Sequence, residues 1–433
     1  MEFNPVFSEL NSSNNISNST DKLVVIDMYR DELSNRMAVT LLPVMVVLGV
    51  VLVTGMAGNT LVFYIYFFKF TSSSTRTAII ALAFLDLLTC AVCIPGEILD
   101  LRFSYSFTSQ ILCKSLRTST TVILVASGFT LLSVALDRYQ RICHPLQKQL
   151  TSKRALYRII ISCSLAAVLA VPAAIVYGLA EIETPIEGIT GLECSTIKSL
   201  TNRPLRIAYN ALLFTTFLAA FATMMVIYVL IGRQVLKQTN FRRSVQQRKG
   251  SSDSLRRRTV CSETSSDGDH SLSDKMKELS QLHEAIPEHG SHCVVNINVQ
   301  PGTNQIGRIE ARVSRKNSVI HLLRKMSGSV DARTRKTTTM LFFITLVFVI
   351  SFLPHLVLKV IQALDKHFSD SLTTTGVIFY NIFVRSYFFN TAANAFVYGF
   401  CSPKFRFECR TVLLRLAFWV KSKPISAQTE DLM

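Results

Sequence analysis

The amino-acid sequence predicts an all-α membrane protein: a bundle of seven transmembrane helices, then a short amphipathic helix on the membrane surface. Three observations carry this. Seven apolar stretches, at about 38–68, 77–99, 112–142, 156–180, 205–236, 337–363 and 372–400, each reach the roughly 20 residues a helix needs to cross hydrocarbon. Charge is sparse, 17% of residues against 49% hydrophobic, and it is sorted between alternate loops. Single polar residues recur inside otherwise apolar runs. Soluble helices rarely stay apolar on every face for this long. A membrane β-barrel would show short alternating segments instead.

The 433 residues suit one membrane domain with polar appendages. A net charge of +17 would suit a nucleic-acid partner, but its distribution argues against one. Basic residues collect after span three (Arg138, Arg141, Lys148, Lys153, Arg154), between spans five and six (Arg242, Arg243, Arg256, Arg257, Arg258) and in the tail (Lys404, Arg406, Arg410, Arg415). Acidic residues collect in the other set, from Glu2, Glu9 and Asp21 to Glu181, Glu183, Glu187 and Glu193. Positive loops stay in the cytoplasm. A multi-pass plasma-membrane protein is therefore expected, N-terminus outside and C-terminus inside, with its basic face toward anionic lipid and cytosolic partners.

In chain order, residues 1–37 form a polar tail whose composition predicts disorder. Met1–Leu10 lacks the basic start and apolar run of a signal peptide, so span one is expected to insert itself. The tail carries sequons at Asn11, Asn15 and Asn18. Residues 38–236 hold spans one to five. Cys113, at the start of span three, and Cys194, before span five, lie on the oxidising side, where a disulfide is permitted. The stretch ETPIEGITGLEC before Cys194 places β-branched residues around a glycine-containing turn, the pattern of a hairpin. Residues 237–332 are rich in Ser, Arg, Lys, Gln and Glu and predict a disordered cytoplasmic loop. Ser244, Thr259 and Ser318 follow basic pairs there and are candidate phosphorylation sites. Residues 333–400 hold spans six and seven. In 401–433, Ser402 and Pro403 open a helix. Phe405, Cys409, Val412, Leu413 and Leu416 recur on one face of it. Cys409 is a candidate for S-palmitoylation.

Polar groups in hydrocarbon are functional candidates by default. Asp86, Ser127, Asn390 and Asn394 could enclose water and Na⁺, or form a hydrogen-bonded cluster without an ion. Asp137-Arg138-Tyr139 stands at the cytoplasmic end of span three. Its arginine either snorkels or forms an ion pair that opens when a helix moves. Pro354 kinks span six, with Phe348 and Phe352 about one turn before it.

These pieces resemble the class A (rhodopsin-like) G protein-coupled receptors over nearly the whole chain. The matching residues are GN at 58–59, LAFLD at 82–86, the Cys113–Cys194 pair, LDRYQRICHPL at 136–146, Tyr228, FVISFLP at 348–354 and NAFVY at 394–398. The resemblance implies a ligand entering from outside and an outward swing of span six. It implies exposure of Arg138 to a heterotrimeric G protein, supported by Tyr228 and Tyr398. It leaves arrestin and receptor kinases as further candidate partners, and Na⁺ as a candidate allosteric ion with no other cofactor. The chain departs from the pattern with Ala395 and Ala220 where proline is usual and Phe352 where tryptophan is usual. Its one tryptophan, Trp419, is in the tail. Fewer prolines predict straighter helices.

Thr120 stands where amine receptors carry aspartate, and Phe388 where a retinal-binding lysine would stand. The expected pocket mixes charges: Glu97, Asp100, Arg102, Lys114, Arg117, His355, Lys359, Gln362 and Arg385. Arg385 needs an anion, from Glu97 or from the ligand. Opposed charges across a wide pocket favour a peptide ligand. A small non-amine ligand, a non-signalling scaffold or decoy, and a transporter stand as alternatives. A transporter would be expected to show two matching halves. No nucleophile constellation suggests an enzyme.

Overall fold

The computed structural model describes residues 19–186, 189–197, 203–260, 336–362, 364–365, 368 and 371–421. Among the described residues, six helices are long and apolar enough to span a membrane: Leu42–Lys69, Ser74–Arg102, Gln110–Cys143, Ser152–Val176, Pro204–Asn240 and Lys336–Gln362, here spans one to six. Span seven is two helices, Thr374–Val384 and Phe389–Cys401, joined by a 3₁₀ turn at Ser386–Phe388. Its interruption breaks the continuous stretch expected over 372–400. A π-helical turn at Thr89–Cys93 interrupts span two just before Pro95.

Local sequence sets the helix starts. Ser73, Ser109, Thr151 and Thr373 each accept a hydrogen bond from the backbone N–H three residues on, satisfying one orphan donor of a first turn. Span one exposes Val46, Val50, Val53 and Phe68 and buries Leu48, Val62, Ile65 and Tyr66. One face thus suits lipid and the other packs in the bundle. Asn59 Nδ2 donates to the carbonyl of Thr391 at 2.8 Å, tying span one to span seven. A Cβ on Gly58 would come within 2.5 Å of the Ala395 Cβ, so glycine permits this close approach.

Span four ends at Val176 and the chain turns into strand β1, Tyr177–Glu183, which pairs antiparallel with β2, Thr190–Thr196. The apolar run reaching residue 180 is therefore partly strand. The expected hairpin is present, with Leu179 opposite Cys194.

Two segments depart from the expected disorder. Ser19–Thr40 is helical. Arg30 Nε donates to the carbonyl of Thr190 at 2.7 Å, and Ser34, fully buried, accepts from Tyr105 N–H and donates to Ser106 Oγ. Tertiary polar contacts order a segment whose composition alone would not. The span-five helix runs from Arg203 to Val260, past the residue 236 read from hydropathy. Beyond Gln234 it enters a second compact unit, residues 235–332, described only as far as Val260. Asn11, Asn15, Asn18 and Ser318 lie outside the described residues, as do the side chains of Ser244 and Thr259.

After span seven comes the helix Pro403–Lys421, with Ser402 Oγ accepting from the Phe405 N–H. Phe405 is buried against Tyr66, ring centroids 5.9 Å apart. Leu413 and Leu414 are exposed, as suits a helix lying on lipid. Cys409 lines a shallow apolar groove of about 480 Å³ with Gly399, Phe405 and Leu413. Partial burial raises its thiol pKa.

Candidate functional site

One end of the bundle is roofed by the hairpin. Cys194 of β2 is disulfide-bonded to Cys113 of span three, with Cα atoms 5.5 Å apart. Backbone bonds of 3.0 Å from Phe107 N–H to Leu192 O, and of 2.8 Å from Leu192 N–H to Tyr105 O, fix β2 to the loop before span three. Gly191 is needed there, because a Cβ would meet Tyr105 Cδ1 at 2.8 Å.

Beneath the roof lies an ionic cluster. Arg117 donates from Nη1 to Glu97 Oε1 at 2.6 Å, and from Nη2 to Asp100 Oδ2 at 2.7 Å and the Cys194 carbonyl at 3.0 Å. Arg385 donates from Nε to the other Glu97 oxygen at 2.9 Å and from Nη1 to Asn381 Oδ1 at 2.7 Å. Glu97 is therefore bridged by two guanidiniums and is 5% exposed, which offsets the cost of burying its charge. The anion that Arg385 requires is Glu97. His355 Nδ1 lies 2.6 Å from the Val384 carbonyl. At the rim, Lys359 Nζ donates to Gln362 Oε1 at 3.4 Å, and Gln362 Nε2 donates to the Tyr380 hydroxyl. Arg102 stacks over Phe103 and so has another partner, and Thr120 is partly buried on span three.

Midway along the bundle, Asn394 Nδ2 donates to Asp86 Oδ2 at 2.8 Å. Ser127, Thr130 and Asn390 are also buried. Asn390 lies one helical turn before Asn394. The Oδ1 atoms of both asparagines and the Thr130 hydroxyl have no partner among the described residues.

At the far end, Arg138 Nη2 donates to Asp137 and, at 2.6 Å, to Thr75 Oγ1. Asp137 also accepts from Ser74 Oγ and Arg141 Nε, each at 3.1 Å, and Arg141 Nη2 donates back to Ser74 at 2.7 Å. The arginine is thus tied to span two, 2% exposed, with Nε unpartnered among the described residues. Tyr139 instead faces His144. The motif pattern does not single out Arg141 and Ser74 as site residues, although the i,i+4 spacing from Asp137 to Arg141 signals an ion pair.

Spans five and six are tied to each other. Tyr228 OH lies 2.9 Å from Thr345 Oγ1. Tyr398 is fully buried. Phe217, Phe348 and Phe352 stack together, and Phe352 continues to Tyr387 at 5.5 Å.

Comparison with known proteins decides the family. A family model described as "7 transmembrane receptor (rhodopsin family)" matches residues 58–398. The chain belongs to that family. This rhodopsin-family receptor is also similar to neuropeptide FF receptor 2 of Rattus norvegicus, 29% identical over 190 residues, 42% of this chain and 45% of the relative. The Mus musculus receptor of the same name is 28% identical over the same shares. The chain thus spans less than half the length of these relatives. The receptor is a multi-pass membrane protein in which the Asp137–Arg138 network and the hairpin-covered cluster occupy opposite ends of one bundle.

Proposed function

We propose that this protein is a cell-surface receptor that binds a peptide at the hairpin end and activates heterotrimeric G proteins at the Arg138 end. The hairpin end is then extracellular and the Arg138 end cytoplasmic. The observation that carries the peptide reading is the cluster of Glu97, Asp100, Arg117 and Arg385, rimmed by Lys359 under a disulfide-anchored hairpin. Peptides carry charges of both signs over a length that such a surface can meet, and the named relatives are neuropeptide receptors. A peptide-library screen on cells expressing the receptor, read through several G protein classes, tests it. A peptide response that disappears in Arg138→Ala is expected. A response only to small non-peptide ligands would contradict the peptide assignment.

Sodium fits the central cluster. Asp86, Ser127, Asn390 and Asn394 supply oxygen donors, and the asparagine oxygens without a partner among the described residues suit a hard cation. The ion would neutralise Asp86. Exchanging N-methylglucamine for NaCl is expected to raise the melting temperature of purified receptor by about 2–4 °C per kcal/mol gained. No rise is expected in Asp86→Asn, and an equal rise there would remove the ion from this site. S-acylation of Cys409, with the chain lying along its apolar groove, completes the reading. A hydroxylamine-sensitive acyl label lost in Cys409→Ala is expected, and its persistence would place the lipid elsewhere.

A further inference from the structure

We propose that Ser386 is a positioning residue that couples the ionic cluster to the Pro354 hinge. The break in span seven puts three neighbours in sequence to different uses. The carbonyl of Val384, at the end of one helix, lies 2.6 Å from His355 Nδ1 of span six. Such terminal carbonyls lack intrahelical partners. Arg385 turns to Glu97 of span two at 2.9 Å. Ser386, buried, donates from Oγ to the Ser351 carbonyl of span six at 2.6 Å. Ser351 and His355 flank Pro354, whose missing N–H weakens the helix between them. Tyr387 continues the contact, edge-on to His355 at 5.0 Å and beside Phe352 at 5.5 Å.

The hinge of span six is thus pinned on both sides by the break in span seven, on one side by the last carbonyl of the helix before it and on the other by the first residue of the 3₁₀ segment, with between them an arginine held by the ionic cluster. A 3₁₀ turn has poorer hydrogen-bond geometry than an α-helix and marks a place where a helix yields. A ligand group that competes for Glu97 or Arg385 shifts Arg385. That shift draws Ser386 off Ser351 and frees span six to swing. Ala395 leaves span seven without the proline usual for the family, and the yielding point stands at Arg385–Phe388 instead.

This inference rests on the receptor reading only for the purpose of the movement, so its test uses neither ligand nor G protein. Spin labels carried by unnatural amino acids at Lys336 of span six and Lys153 of span four report their separation in purified, nanodisc-embedded receptor. Ser386→Ala is expected to raise the population at longer separation about two- to tenfold, the range of one net hydrogen bond. Arg385→Gln, which leaves Glu97 paired to Arg117, is expected to do the same. The double variant is expected to go no further than the larger single change. Ser386→Thr, which keeps the donor, is expected to restore the short separation. Should Ser386→Ala fail to reach the membrane, His355→Phe breaks the other pin and carries the same expectation. An unmoved distribution in the pin variant, an unmoved one in Arg385→Gln, or effects that multiply would each overturn the coupling.

Discussion

Replacing Arg138 with alanine is expected to abolish G protein activation while leaving the receptor folded and at the cell surface. Removing a charged side chain from a desolvated protein contact costs about 2–5 kcal/mol, or about 30-fold and more in affinity. The fold survives because Asp137 keeps Arg141 Nε and Ser74 Oγ after Arg138 is gone, so no buried carboxylate is stranded. Nucleotide exchange on purified G proteins, with surface labelling as control, checks both halves. Undiminished exchange would remove Arg138 from the coupling surface, and loss from the surface would show that its bond to Thr75 is structural.

Reversing Glu97 is expected to be the most damaging change at the opposite end. Glu97→Arg places a third guanidinium beside Arg117 and Arg385, with Asp100 the one carboxylate left to them among the described residues. Breaking a buried ion pair by losing one partner costs about 3–5 kcal/mol, a large part of a typical folding stability. Arg385→Glu is milder, because Arg117 still bonds both carboxylates. Combining the two reversals restores the pair between positions 97 and 385 in mirror image, but sets the introduced guanidinium against Arg117. Thermal melting and surface expression are therefore expected to recover only in part. Full recovery would mean that Arg117 contributes little and the pair acts alone; no recovery at all would mean that the two residues do not act on each other.

The spans, the hairpin, the Asp137–Arg138 end and the mixed charges of the pocket are all legible in the sequence. Each has a local signature: an apolar run, β-branched residues about a turn, an ionisable pair at a span end. The rest depends on contacts between distant residues. Nothing near residue 385 distinguishes an α-helix from a 3₁₀ turn, because an apolar run serves either geometry. The turn is set by Glu97, Ser351 and His355 on two other spans. The absence of proline at Ala395 predicts a straight span seven, yet the helix is broken upstream. The helix Ser19–Thr40 has no clear apolar stripe and is seated by Arg30 and Ser34 on the hairpin and its neighbouring loop. Arg385 can be read as needing an anion, but only the fold assigns Glu97 to it and adds Arg117 to the same carboxylate.

The most direct measurement is the sidedness of the bundle in living cells. Epitope tags at the two termini of the full chain, stained before and after permeabilisation, are expected to show the N-terminal tag on intact cells and the C-terminal tag only once the membrane is opened. That result puts the hairpin where an extracellular peptide reaches it and Arg138 where a G protein does. Both tags on the same side, or the C-terminal tag alone on intact cells, would contradict the account.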